Sequence, residues 1–198
     1  SRIFPAKNCI YQNLLRGSPV QMMTEGGCQS KEYDLKDFVV CAASNSGRTK
    51  EIVDLFNILK KRGHKELYGI SANAGTPVVD LAKKGFILRC GKEEAVAATK
   101  SVVEQALFYH SIVNDFSGET ARLSENFEQV LSTPIDQAVV EMLARSETIY
   151  FAGRNNGVAE ELALKANEIT RKRSGYLEGT YAVHGIEESM RKDETVVI

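Results

Sequence analysis

The chain has 198 residues, 43% hydrophobic and 26% charged, enough apolar material for the core of one compact α/β domain, or of one domain and part of a second. Its 25 basic and 26 acidic residues leave a net charge of −1, which supplies no global field for nucleic acid or for a membrane surface. The longest apolar run, Phe38 to Ala43, is strand-sized and far short of the roughly 18 residues that span a bilayer.

The first twenty residues alternate polar and apolar and carry Arg2, Lys7 and Arg16, unlike a signal peptide. A soluble, cytoplasmic protein is expected. Cys9, Cys28, Cys41 and Cys90 never form C-x-x-C, and none of the three histidines lies within five residues of a cysteine. Neither zinc nor a disulfide framework is expected, and the thiols read as reduced and mostly buried.

In chain order, Ile3, Phe4, Ile10 and Leu14 open a helical pattern, and residues 19–24 and 37–43 read as strands. Residues 49–62 read as a helix with Ile52, Leu55, Phe56 and Leu59 on one face, stopped by Gly63. A strand over 66–72, a short helix over 77–84 and a strand over 86–90 follow. Residues 95–114 and 125–145 read as helices, the second broken at Pro134. A strand over 147–152, a helix over 158–172 and a β-branched end at 195–198 complete the series.

Strands interleaved with helices predict an α/β fold with a doubly wound, mostly parallel sheet. The segments FVVCAASNSGRTKEIV (38–53) and TIYFAGRNNGVAEELAL (148–164) both read as strand, Gly-containing polar loop and helix, a hint of duplication. The missing initiator Met and the terminal half-strand suggest a piece of a longer protein.

The loop Cys41-Ala42-Ala43-Ser44-Asn45-Ser46-Gly47-Arg48-Thr49 joins a strand to a helix. Three hydroxyls, a Gly that allows close backbone approach and the helix's unpaired N–H groups make a cradle for an anion. The spacing is neither that of a Walker loop nor G-x-G-x-x-G. Arg48 is unfavourable at an empty helix start by about 0.5 kcal/mol, a sign that a bound dianion would reverse. The same residue types also serve as ordinary helix caps.

Ser44-Asn45-Ser46-Gly47-Arg48-Thr49 resembles the S-x-S-G-x-T phosphate loop of the sugar isomerase (SIS) domain family. Three further segments agree with the isomerase half of glucosamine-6-phosphate synthases and with related aldose/ketose phosphate isomerases and deaminases. Glu93-Glu94-Ala95-Val96-Ala97-Ala98-Thr99-Lys100 resembles E-x-x-V-A-S-T-K, with Ala98 where the synthase has Ser. Gly153-Arg154, followed by Glu161-Leu162-Ala163-Leu164-Lys165-Ala166-Asn167-Glu168-Ile169, resembles the start of a second SIS module. His184-Gly185 falls sixteen residues after Glu168, the family's spacing for its H-G element.

The resemblance implies a flavodoxin-like SIS fold with three α/β/α layers. It implies a first module over 1–134, lacking its N-terminal strand, and the start of a second over 135–198. It assigns phosphate to Ser44, Asn45, Ser46, Gly47 and Thr49, and further substrate contacts to Val96, Ala98, Glu161 and Ser1. Glu168 becomes the base that moves a proton between C1 and C2 of an open-chain hexose or amino-hexose 6-phosphate. Lys165 contacts the sugar hydroxyls, and His184 assists ring opening from a neighbouring subunit. A homodimer or higher homo-oligomer is therefore expected, with no metal or organic cofactor and no nucleic-acid or membrane partner.

Spacing alone places Lys165 and Glu168 on one helix face with Glu161 a turn earlier, and leaves a solvated ion-pair ladder open. A sugar-phosphate sensor without catalysis, and the isomerase half of a synthase behind an amidohydrolase domain, also stay open. His110 reads as a hydrogen-bonded core residue and His64 as exposed.

Overall fold

The computed structural model describes residues 3–91, 93–114 and 119–198. Ser1 lies outside the described residues. The chain divides into two compact units, Ser1–Lys7 with Pro19–Leu107, and Asn8–Ser18 with Phe108–Ile198. The first helix, α1 (Ile3–Leu15), contributes residues to both.

The first unit carries α2 (Gly27–Ser30), β1 (Val40–Ala43), α3 (Lys50–Lys61), β2 (Leu67–Ser71), α4 (Pro77–Leu81), β3 (Lys84–Ile87) and the start of α5 (Lys100–Val113). Its strands pair in parallel in the order β1-β2-β3, with Val40 opposite Leu67 and Tyr68 opposite Lys84. The apolar face expected of α3 is the one it buries. Leu55, Phe56 and Leu59 pack with Leu35, Ala42, Leu67 and Val78, and Ile52 lies against that core. Gly63, at φ +80°, ends α3 as predicted. The His64 amide donates to Leu59 O and the Gly63 amide to Lys60 O, satisfying two of the carbonyls a helix end leaves open.

Two expectations fail in this unit. Residues 19–24 form no strand; Pro19 lacks a ladder donor, and Val20 and Met23 face solvent. The third strand sits two residues earlier than predicted because pairing with β2 begins at Lys83, whose amide donates to Leu67 O at 2.7 Å.

The second unit contains the end of α5, then α6 (Thr120–Ser132), α7 (Gln137–Arg145), β4 (Thr148–Gly153), α8 (Val158–Lys165), β5 (Arg173–Glu178) and β6 (Glu194–Val197). The break at Pro134 separates α6 from α7, and Asp136 caps α7 by accepting the Ala138 amide at 2.8 Å. The strands are parallel in the order β5-β4-β6. Strand β5 was not anticipated: Arg-Ser-Gly-Tyr-Leu-Glu has no alternation, and every residue but Arg173 is half-buried.

The predicted helix over 158–172 stops at Lys165. A π turn over Ala166–Thr170 follows and ends in Arg171 at φ +59°. Asn167 explains the stop. Its Nδ2 donates to Ala163 O and Ser174 O, and its Oδ1 accepts the Ser174 amide, tying the turn to β5.

The expected α/β architecture, with helices alternating with parallel strands, is what both units contain. The thiols are free, but only Cys9 is buried. Cys28 and Cys41 are exposed, Cys41 because it points outward from the edge strand β1. His110 is half-buried and shares a 2.7 Å hydrogen bond with Asn8 Oδ1, the core role expected of it. His64 is also half-buried and contacts Leu35 O at 2.9 Å, so it is not simply exposed.

Candidate active site

In the first unit the hydroxyl-rich loop runs from the end of β1 to the start of α3. Gly47 is buried at φ +65°, and a Cβ there would fall 2.0 Å from Thr76 Oγ1 and 2.7 Å from Ser71 Oγ. Glycine is required on both counts. The β2–α4 connection braces the loop from below. Asn45 O accepts from the Ala72 amide at 3.1 Å, Asn73 Nδ2 at 2.9 Å and Ser71 Oγ at 3.2 Å, and Gly47 O accepts the Val78 amide.

The upper side of the loop is unlike a plain capped helix. Thr49 is the residue before α3, yet its side chain makes no capping bond. Its Oγ1 instead shares a 2.6 Å hydrogen bond with the buried Ser44 Oγ. Ser46 and Thr49 are exposed residues, Ser46 Oγ accepts the Arg48 amide at 3.2 Å, and Asn45 Oδ1 is buried without a hydrogen-bond partner among the described residues. The amides at the first turn of α3 and the exposed Ser46 and Thr49 hydroxyls can receive the oxygens of an anion.

Glu93 carries a structural task that spacing did not reveal. Its carboxylate takes the amides of Thr99, Lys100 and Ser101 at 2.9, 3.0 and 3.1 Å, and the Ser101 hydroxyl as well, so it caps α5 from seven residues upstream. The readable signal was the Glu ahead of Thr-Lys-Ser at a helix start. Burial pushes its pKa up, but the Ser101 hydroxyl and then the three amides outweigh that and bring its pKa down to about 2.

A carboxyl whose folded pKa lies below its ordinary 4.5 stabilises the fold above that value and loses the contribution as pH falls toward 2. Thermal unfolding between pH 5 and pH 2.5 should therefore fall more steeply for the wild type than for Glu93→Gln. Parallel curves would remove this role. Of the two binding residues expected on this segment, Val96 stands 94% exposed and Ala98 is half-buried.

In the second unit Glu161, Lys165 and Glu168 come together as expected, but not as a solvated ladder. Lys165 Nζ lies 2.6 Å from Glu168 Oε2 and 3.3 Å from Glu161 Oε1, and the Lys165 and Glu161 side chains are only 15% and 17% exposed. Glu168 sits in the π turn, at 30% side-chain exposure.

His184 lies elsewhere in this unit, exposed in the turns before the short 3-10 segment Ile186–Glu188. It lines a cleft of about 520 Å³ with Tyr176, Glu178 and Tyr181, whose walls include neither Lys165 nor Glu168. Among the described residues no three His, Cys, Asp or Glu side chains cluster as metal ligands, and no helix is long and apolar enough to cross a membrane.

Residues 34–115 match the family model of the SIS domain. A curated relative, the isomerizing glutamine–fructose-6-phosphate aminotransferase of Aeropyrum pernix, is 26% identical over 151 residues, which cover 67% of this chain and 24% of the relative. Among solved structures, the tagatose-6-phosphate ketose/aldose isomerase of Escherichia coli superposes with TM-score 0.74 at 15% identity, over 98% of this chain and 58% of that one. The glucosamine-6-phosphate deaminase of Thermotoga maritima does so with TM-score 0.71 at 20% identity, over 98% and 62%.

The C-terminal domain of the Francisella tularensis glucosamine-fructose-6-phosphate aminotransferase gives TM-score 0.68 at 22% identity, over 98% and 60%. The chain thus spans about a quarter of the curated relative and about three fifths of these structures. Residues 34–115 are thus similar to the SIS domain, and the fold is one shared with phosphosugar isomerases and deaminases.

Proposed function

We propose that the protein acts on a hexose or amino-hexose 6-phosphate, isomerising aldose and ketose or releasing ammonia, by carboxylate-mediated proton transfer between C1 and C2. The observation that carries this reading is the 2.6 Å contact of Lys165, at the end of α8, with Glu168 in the π turn that follows, both side chains being largely withdrawn from water. A solvent-exposed ladder would be a surface feature. A half-buried carboxylate with an ammonium against one oxygen keeps its other oxygen available to a substrate proton.

Ser44, Asn45, Ser46, Gly47 and Thr49 hold the phosphate in this reading, supported by the start of α3 without a side-chain cap and by the exposed Ser46 and Thr49. Glu168 takes the proton from one carbon of the enediol pair and returns it to the other. Lys165 and Glu161 orient hydroxyls, and His184 exchanges the ring proton during opening. Val96 and Ala98 contribute at most backbone groups and apolar contact, and Ser1 is retained as a candidate contact. His184 supplied by a second subunit implies at least a homodimer.

The test is exchange. Incubating the full protein in D2O with glucose 6-phosphate, fructose 6-phosphate and glucosamine 6-phosphate should introduce deuterium at C1 or C2 of at least one of them, read by NMR. Absence of label in all three would overturn the catalytic reading, and binding without label would leave a sensor.

A further inference from the structure

In a continuous helix, residues seven apart lie about 10 Å from one another along the axis, beyond the reach of an asparagine side chain. Asn167 and Ser174 are nevertheless bonded. Asn167 Nδ2 donates to Ala163 O at 2.8 Å and to Ser174 O at 2.9 Å, and its Oδ1 accepts the Ser174 amide at 3.1 Å. Both amide protons and the oxygen are thus used. Serving the N–H and the C=O of one residue together takes a side chain with donor and acceptor in one plane, which a carboxylate lacks.

These bonds require the chain to double back at Arg171, whose φ of +59° is costly for a residue other than glycine. A helix that only had to stop needs no such tie; a left-handed glycine suffices, as Gly63 does after α3. The neighbouring anchors differ in kind. Thr170 Oγ1 donates to Ala166 O at 2.6 Å, a four-residue bond that a plain helix also allows, and Lys172 Nζ donates to Ser146 O at 2.6 Å. The Asn167 pair alone joins the π turn to β5 through the residue next to Glu168. Asn167 is an exposed residue, so its contribution is these bonds and not the filling of a core.

We infer that Asn167 is a positioning residue: it locks the backbone of the turn so that the Glu168 carboxylate has a single placement beside Lys165. The inference rests on the phosphosugar reading for the task of Glu168. Asn167 spends its hydrogen bonds on Ala163 and Ser174, and so acts through the turn and not on a substrate.

The test combines exchange kinetics with a crystal structure, both on the full protein. Asn167→Ala should slow C1–C2 exchange at saturating sugar phosphate about 10- to 100-fold, the scale at which a misplacement near 1 Å is felt, with the half-saturating concentration within about twofold of wild type. Added to Glu168→Gln, it should change the residual rate by less than about twofold, because one residue acts through the other. Asn167→Asp keeps the shape and the acceptor but loses both donated bonds; it should show the same kind of loss, and it replaces the alanine variant if that does not fold. In crystals of either variant the Lys165–Glu168 ion pair should be broken or spread over several conformers. A merely structural residue would lower the unfolding midpoint and leave the rate per folded molecule unchanged. That result, an additive loss in the double variant, or an ion pair unmoved in the crystal would each overturn the proposal. Failure of the phosphosugar reading shows instead as a wild type that labels no hexose phosphate, and the crystal structure then decides the positioning by itself.

Discussion

Glu168→Gln should reduce proton exchange between C1 and C2 of the hexose phosphate by roughly 10²–10⁴-fold, the range that a positioned general base supplies. Affinity for the sugar phosphate should stay nearly unchanged, because the phosphate-binding groups belong to a different segment. The fold should also survive. Lys165 keeps Glu161 at 3.3 Å after the substitution, so no unpaired ammonium is left in a largely withdrawn position. The glutamine retains shape and a hydrogen-bonding oxygen but cannot accept the substrate proton. Exchange retained at a rate near the wild type would remove Glu168 from the role of base, whatever happened to binding. A loss of exchange accompanied by a lower unfolding midpoint would instead point to a structural role for the ion pair, which circular dichroism on the same sample distinguishes.

Gly47→Ala should both destabilise the first unit and disable its hydroxyl loop. The left-handed backbone costs a non-glycine residue about 1–2 kcal/mol, and the new Cβ would collide with Thr76 Oγ1, which is buried and tied to Asn73 O. Together these should remove ~2 kcal/mol and lower the unfolding midpoint by roughly 4–8 °C for a chain of this size. Any molecules that remain folded would carry a displaced Ser46 and Thr49, so inorganic phosphate and sugar phosphates should no longer raise the midpoint. An alanine variant with unchanged melting and an intact phosphate shift would show that the loop neither needs its present conformation nor binds the anion with it.

The parts legible from sequence were those that neighbouring residues decide. The apolar stripe of α3, the stop at Gly63 and the break at Pro134 depend on helical period, a positive φ and a missing donor, all within one turn of the residue concerned. The same holds for the placing of Ser44, Ser46 and Thr49 between a strand and a helix. Where the reading went astray, the deciding partner was far away in the chain or absent. Residues 19–24 had the pattern of a strand but formed none. β5 had no such pattern, yet pairs along its length with β4.

Sequence by itself therefore determined the alternation of strands and helices, the hydroxyl loop, and the common face of Lys165 and Glu168. Only the tertiary structure decided that Gly47 lies hard against Thr76, that Glu93 caps α5, and that Asn167 bonds across to Ser174 and ends α8 in a π turn. The physical reason is range. Propensity and periodicity act over a few residues, whereas a close approach, a distant cap or a cross-bonded turn exists only once segments far apart in sequence have packed together.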